Sequence, residues 1–458
     1  MKSDPISMKR ILTLSIPTII SSFSFNVMQF LDRAFLAHYG LDDFSVAIPA
    51  GMLSFTVASL FFGLTWYVPA LVAQYHGAKR PKDAARAVWQ GIYFSLGAGV
   101  ILLAVSPLCV KLLAISGRPP AVVALASAYF YLTMAAGIIS LLTNCLSAFF
   151  NGRGETQIPM ALNIAANIVN AILAYVFIFG LFGVPLNGVI GAGVATLIAS
   201  LANLALHAFF FFSRDNRRKA YTAVALFVPS MFIRLVRYGM PSALQFFVDI
   251  GGWGIFIMFI EQTGRNAMAA TSIAFNIEMI AFMPVMGLAT GVGIIAGQEM
   301  GARRSKNVWR VTRKGVAVAL AFNAVLASLF FIVPEFFILP FSSSSPDFAV
   351  VFTLAIPLIR ITAARVLTNA ALIVIMTVLR NAGDTLFIMI ATSISAPIFL
   401  VLPAYIMIFV LKLGLAATFW LIVVYISLLF VVMLARFLQG KWQRIRVIDD
   451  RAAGSYGR

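Results

Sequence analysis

The segment from Gly63 to Gly91 returns without a gap 224 positions later as Gly287 to Gly315, and ten of its 29 positions are identical. Chance would give about two or three, so the chain carries an internal repeat. The same offset pairs Pro17 with Pro241 and Gly40 with Gly264. A slightly larger one pairs Gly154-Glu155-Thr156 with Gly383-Asp384-Thr385. Each copy therefore runs about 200 residues and holds several helices. A basic loop recurs at the same place in both copies, which requires an even number of membrane crossings per half. The repeat is then a parallel one about an axis along the membrane normal, an arrangement that places a substrate pathway between the halves.

Composition sets the solvent. With 61% hydrophobic and 11% charged residues and a mean hydropathy of +0.96, a soluble fold could not cover the apolar surface, whereas lipid solvates it. Apolar runs long enough to cross a bilayer are expected near 11–38, 44–76, 87–115, 122–148, 158–182 and 188–213. The second half gives 233–262, 267–297, 313–340, 348–379, 385–411 and 414–439. The fold class is thus an all-α polytopic membrane protein with twelve helices in two homologous six-helix lobes. The lobes span 1–220 and 221–440, and a cytoplasmic tail spans 441–458.

A formal charge of +18 could suggest nucleic acid, but its placement argues otherwise. All but seven of the 34 Lys and Arg lie at the termini or in loops on one side: Lys79 to Arg86, Arg214 to Lys219, Arg303 to Arg310 and the tail from Arg436. The exceptions are Arg33, Lys111, Arg118, Arg265, Arg360, Arg365 and Lys412. This is the positive-inside asymmetry, which puts both termini in the cytoplasm of a multi-pass inner-membrane protein. The basic loops lack interleaved aromatics and any binding module, so no nucleic-acid partner is expected. The first apolar run has a repeat counterpart and no small-residue cleavage site, so it reads as the first helix and not as a signal peptide. Cys109 and Cys145 fall near opposite membrane faces, out of disulfide reach. His38, His76 and His207 lack ligand spacing, so no metal site is expected.

Several strings resemble the multidrug and toxic compound extrusion (MATE) family: GMPSALQFFVD at 239–249, AFNIEMIAFMPVMGLATGVGIIAGQEMGA at 274–302, FLD ending at Asp32, and LRNAGDT at 379–385. The resemblance covers nearly the whole chain. It implies twelve helices in two lobes, a central cavity open alternately to each side, and efflux of organic cations in exchange for sodium ions or protons. It further implies an acid at Asp249 and one at Asp32. Some members carry an acid where this chain has Asn369, whose amide oxygen can coordinate sodium but whose side chain cannot carry a proton.

Charges inside apolar helices are costly and are functional candidates by default. Asp249, Glu278 and Arg360 lie at similar depths in the seventh, eighth and tenth helices, which suggests one polar cavity. A lone carboxylate in low dielectric suits proton exchange, while one beside a cation ionises and can hold sodium, as is possible at Asp249. The competing reading is a structural ion pair of Asp249 or Glu278 with Arg360. Asp32 is followed by Arg33, a neighbour that favours the ionised carboxylate. It divides between function and structural pairing. Asn26, Gln29 and Arg33 share one helical face that should point inward.

Phe246, Trp253 and Phe256 recur around Asp249, and Phe275 and Phe282 around Glu278, at helical spacing. A carboxylate with aromatic faces is what a lipophilic cation needs, although such rings also serve plain packing. Glu261, Glu299 and Glu335, near helix ends, read as solvated. Pro17, Pro241 and Pro284 mark bends, Gly77-Ala78 and Gly301-Ala302 helix ends, and residues 221–229 an interfacial linker.

Together these features give a monomeric, non-enzymatic antiporter that exports small amphipathic organic cations through the lipid bilayer, with Na+ or H+ as coupling ion and no cofactor. The alternative is a flippase of lipid-linked saccharides from the same broad superfamily. That activity would need several inward arginines to neutralise pyrophosphate. A membrane-embedded prenyltransferase would need paired acidic motifs for magnesium, and the one adjacent pair outside the tail, Asp42-Asp43, lies in a short outer loop.

Overall fold

In a computed structural model the chain is described over residues 6–115, 119–183, 186–342 and 347–448. Lys2, Arg118, Arg451 and Arg458 of the charge pattern lie outside the described residues, as does the side chain of Asp42. Among the described residues, all regular structure is helical. Twelve segments of the described residues are long and apolar enough to cross a membrane: α1 (Met8–Tyr39), α2 (Ser45–Gly77), α3 (Pro81–Leu113), α4 (Pro120–Arg153), α5 (Gln157–Ile178), α6 (Gly188–Phe211), α7 (Pro229–Glu261), α8 (Arg265–Gly301), α9 (Ser305–Ile332), α10 (Phe348–Ala382), α11 (Thr385–Val410) and α12 (Leu415–Leu438). The protein is an all-α, multi-pass membrane protein. The ninth apolar run is split in the structure, because α9 ends at Ile332 and a short helix, Pro334–Ile338, follows behind buried Pro334. The second is interrupted at Trp66 and Tyr67, ahead of Pro69.

Two compact units form. One holds Ile20–Ala243, and the other joins the leading half of α1, up to Ile19, to Leu244–Val447. The breaks, 19/20 and 243/244, are 224 residues apart, the offset of the sequence repeat. They fall just past Pro17 and Pro241, so the leading halves of α1 and α7 are exchanged in a symmetric way. Within the first unit α4 packs against α2, α3 and α6; within the second, α10 packs against α8, α9 and α12. Helix positions thus obey the repeat as the sequence does.

Both exchanged segments are pinned by hydrogen bonds, one position of the repeat serving in each unit. The Arg10 guanidinium donates to Gln298 Oε1 at 2.6 Å, Thr18 Oγ1 donates to the Gly287 carbonyl at 2.8 Å, and Lys314 Nζ donates to the Ile6 carbonyl at 2.7 Å. In the other unit Gln90, the repeat partner of Lys314, donates to the Leu226 carbonyl at 2.9 Å and accepts from the Val228 N–H at 3.1 Å. Trp89 Nε1 holds the Thr222 carbonyl at 2.9 Å, and Lys82 sits over the Tyr221 ring. Residues 221–229 are therefore fastened to α3. The helix ends expected at Gly77-Ala78 and Gly301-Ala302 are present, and each is closed by a left-handed residue, Lys79 (φ 58) and Arg303 (φ 58). There the N–H of Arg80 reaches the Tyr75 carbonyl and that of Arg304 the Glu299 carbonyl, the six-to-one closure of a helix C-terminus.

Candidate ion and substrate site

α8 and α10 are the most buried spans, with 61% and 50% of their central windows inside the protein. A charge on either helix is therefore far from water and requires compensation. Glu278 on α8 has it: its carboxylate pairs with the Arg365 guanidinium of α10, and both side chains are buried. In the competing ion-pair reading the partner is Arg360. Arg360 is exposed, because five positions along a helix rotate a side chain about 140°. Equal depth did not imply equal direction.

Arg365 is 3% exposed and stands over the faces of Trp253 (5.8 Å) and Phe275 (5.3 Å). These rings pack edge-to-face at 5.9 Å, and Phe275 stacks on Phe419 at 5.8 Å. The carboxylate-plus-aromatic box read from the sequence exists, but it holds the protein's own guanidinium. Phe256 is fully buried against Trp253, so it packs and does not face a cavity. Glu278 also lines a recess no larger than a water molecule with Phe282, Asn323 and Asn369. The structure thus brings Asn369 beside Glu278 and adds buried Asn323, whose Nδ2 bonds the Ala319 carbonyl at 3.1 Å.

Asp249, half-buried on α7, is compensated differently. Gln245, one turn earlier, donates Nε2 to Asp249 Oδ2 at 2.6 Å, and its Oε1 accepts from the Arg380 guanidinium at 2.7 Å. Only this amide orientation serves both partners, since the arginine offers donors alone and the carboxylate acceptors alone. Asp249 thus feels Arg380 through an intervening amide, with buried Tyr425 also within electrostatic reach. Among the described residues no cation lies within ion-pairing distance of Asp249, and no bond joins it to Glu278.

In the other unit Asp32 is half-buried, with one carboxylate oxygen lacking a partner, while Gln29 and Arg33 are exposed. Asn26 is half-buried and donates to the Ser22 carbonyl. Phe246 is half-buried. What the sequence reading missed there is an uncharged polar ladder. Asn163 donates to Ser21 Oγ at 3.0 Å, Asn167 to Ser24 Oγ at 2.9 Å and Asn203 to Asn163 Oδ1 at 3.1 Å. The spacing of Asn163, Asn167 and Asn170, one stripe of α5, carries that signal. Glu299 is a further correction. It is buried and accepts a 2.7 Å bond from Asn307, because the chain folds back over it after the helix end.

A profile of the MatE family matches residues 17–176 and 241–406, two stretches that again begin 224 positions apart. The chain belongs to the MatE family. Among the relatives of this MatE protein is one from Thermotoga maritima, 26% identical over 458 residues, covering 98% of this chain and 96% of the relative. Another, from Rhizobium meliloti, is 27% identical over 394 residues, covering 85% and 84%. Both are named as a probable multidrug resistance protein, NorM. Two solved structures share the fold at a TM-score of 0.86 and 20% identity, covering 97% of this chain and 98% of theirs. One is an outward-facing multidrug resistance MATE transporter. The other is a transporter from Pyrococcus furiosus whose binding pocket is said to have reversed polarity. The MatE assignment and these relatives make the chain a membrane transporter.

Proposed function

We propose that this MatE protein is a secondary antiporter of the cytoplasmic membrane that exports amphipathic organic cations against an inward flow of Na+ or H+, with both termini cytoplasmic. The observation that carries this reading is Asp249, a half-buried carboxylate that is hydrogen-bonded by the neutral Gln245 amide and, among the described residues, has no cation within ion-pairing distance. A carboxylate with a direct cation partner has no reason to take an ion; one held by a neutral donor retains charge to offer to a sodium ion, a proton or a cationic substrate. Glu278 serves a different end, since its charge is already met by Arg365. Lipid-linked saccharide flipping would need uncompensated arginines for pyrophosphate. Arg365 is paired, and Arg380, held like Asp249 by the neutral Gln245 amide, lies in electrostatic reach of that carboxylate and not in a cluster of arginines.

The test is dye efflux from everted vesicles under sodium and proton gradients imposed separately. Acceleration by one of them is the expected outcome, and indifference to both would remove the antiport assignment.

A further inference from the structure

α8 runs 37 residues from Arg265 to the basic loop at Arg303, so Arg265 lies at the membrane surface opposite that loop. There three helices of the second unit begin around one recess: α8 at Arg265, α10 behind its N-cap Asp347, and α12 at Leu415. None of the three N-caps makes a side-chain capping bond. The N–H groups of a first helical turn have no partner inside the helix, and the dipole adds positive potential at that end. Gly264 and Gly414, the caps of α8 and α12, carry no side chain to screen these amides, and even a Cβ at either would meet nothing within 4 Å. Arg265 adds a full positive charge to the lining, against the single carboxylate of Asp347.

An independent feature points to a ligand. Thr418 lines the same recess, is 1% exposed, and its hydroxyl has no hydrogen-bond partner. Buried hydroxyls are almost always bonded. Several hydroxyls among the described residues share this lack of a partner, and Thr418 is the one of them that lines the recess, where it can donate to a bound group.

We infer that the recess binds a phosphate group, held by the amides of α8 and α12, the Arg265 guanidinium and the Thr418 hydroxyl. The recess is open to solvent, so its occupant need not be enclosed. Leu354 and exposed Leu413 add apolar surface to the lining. This apolar lining beside the cationic one favours the headgroup of an anionic phospholipid over free phosphate. The inference does not depend on the transport reading.

Full-length protein in detergent is to be titrated with phosphatidylglycerol and the bound lipid counted by native mass spectrometry, while a thermal shift assay measures the effect of inorganic phosphate. Arg265→Ala is expected to weaken phosphatidylglycerol binding about tenfold. Thr418→Val, nearly isosteric, should weaken it by a smaller factor. Arg444→Ala, an exposed arginine beyond α12 at the other surface, should leave it unchanged. Stabilisation by inorganic phosphate that Arg265→Ala abolishes, without lipid adducts, would keep the phosphate site and assign it to the free ion. Equal lipid retention in wild type and Arg265→Ala with no phosphate effect overturns the inference, as does an equal loss in Arg444→Ala. Should Arg265→Ala fail to fold, unchanged binding in Thr418→Val is the overturning result.

Discussion

The Cα of Ala243 lies 2.5 Å from where a Cβ on Gly63 would project. Its repeat equivalent does the same, since a Cβ on Gly287 would stand 2.7 Å from the backbone nitrogen of Ile19. The glycines that open and recur in the 29-residue repeat are therefore fixed by backbone contact with the residues two past Pro17 and Pro241. Those residues are also where the chain leaves one compact unit for the other.

The stability consequence is specific. Gly63→Ala and Gly287→Ala force backbone shifts in a packed contact and should each cost about 1–3 kcal/mol, lowering the melting temperature. Gly251 and Gly254, in the middle of α7, have open space where a Cβ would stand, with nothing within 4 Å. Alanine there should stabilise by about 0.5–1 kcal/mol through helix propensity. A fluorescent-thiol melting assay on the four variants checks the ordering, and a neutral Gly287→Ala would refute the contact argument.

Glu278 and Arg365 make the next case. Removing one partner of a buried pair strands the other charge, so Glu278→Gln or Arg365→Ala should cost on the order of 3–5 kcal/mol and reduce expression. Arg360→Ala, which changes an exposed side chain, should stay within about 0.5 kcal/mol. The double variant Glu278→Gln with Arg365→Met should recover much of the loss, because methionine fits between Trp253 and Phe275 through sulfur–aromatic contact. A double variant less stable than either single one would show that the pair is not the reason.

The repeat offers an internal control on ion pairs. Asp384 accepts from Arg436 at 2.6 and 3.0 Å with its carboxylate 5% exposed, whereas the equivalent Glu155, 37% exposed, pairs with Arg153 at 2.8 Å. Solvent screens the second pair more than the first, in which Arg436 is 18% exposed and Asp384 5%. Asp384→Ala should cost on the order of 3 kcal/mol and Glu155→Ala less than about 1 kcal/mol, measurable as the difference in melting temperature.

Topology is checked by reporters. A C-terminal enzyme active only outside the cytoplasm should stay silent if the basic loops are cytoplasmic. Activity at that end would reverse the orientation.

The repeat and the twelve spans were legible because they are written in one-dimensional quantities: identity at a fixed offset, and apolar length against bilayer thickness. Direction was less legible than depth. Arg365 was passed over for Arg360 because both lie inside a span, and only the helical phase separates the buried one from the exposed one. Gln245 sits inside the motif that marked Asp249, yet an uncharged residue gave no signal until its two bonds were seen. The exchange of the leading halves of α1 and α7 could not be read at all, since it rests on which backbone meets Gly63 and Gly287 in three dimensions. Lys79 and Arg303 closed helices in a left-handed conformation without the glycine or asparagine that usually announces it.

Asp249 gives the decisive test of the proposed coupling. In Asp249→Asn the Gln245 Nε2 can still donate to the new amide oxygen, and Gln245 Oε1 still serves Arg380, so the bonds that order this part of α7 survive. One fewer charge in the membrane also favours insertion. Folding should therefore hold, with a melting temperature at or above wild type, while gradient-driven dye efflux is lost. Gln245→Leu does the reverse. It leaves charge on both Asp249 and Arg380 but removes the amide between them, so stability should fall by about 1–3 kcal/mol for the stranded donors and acceptors. If Asp249 were only structural, Asp249→Asn would lose stability first and efflux in proportion to folded protein. Efflux normalised to folded protein separates the two, and an undiminished value in Asp249→Asn would end the claim that this carboxylate couples transport to an ion gradient.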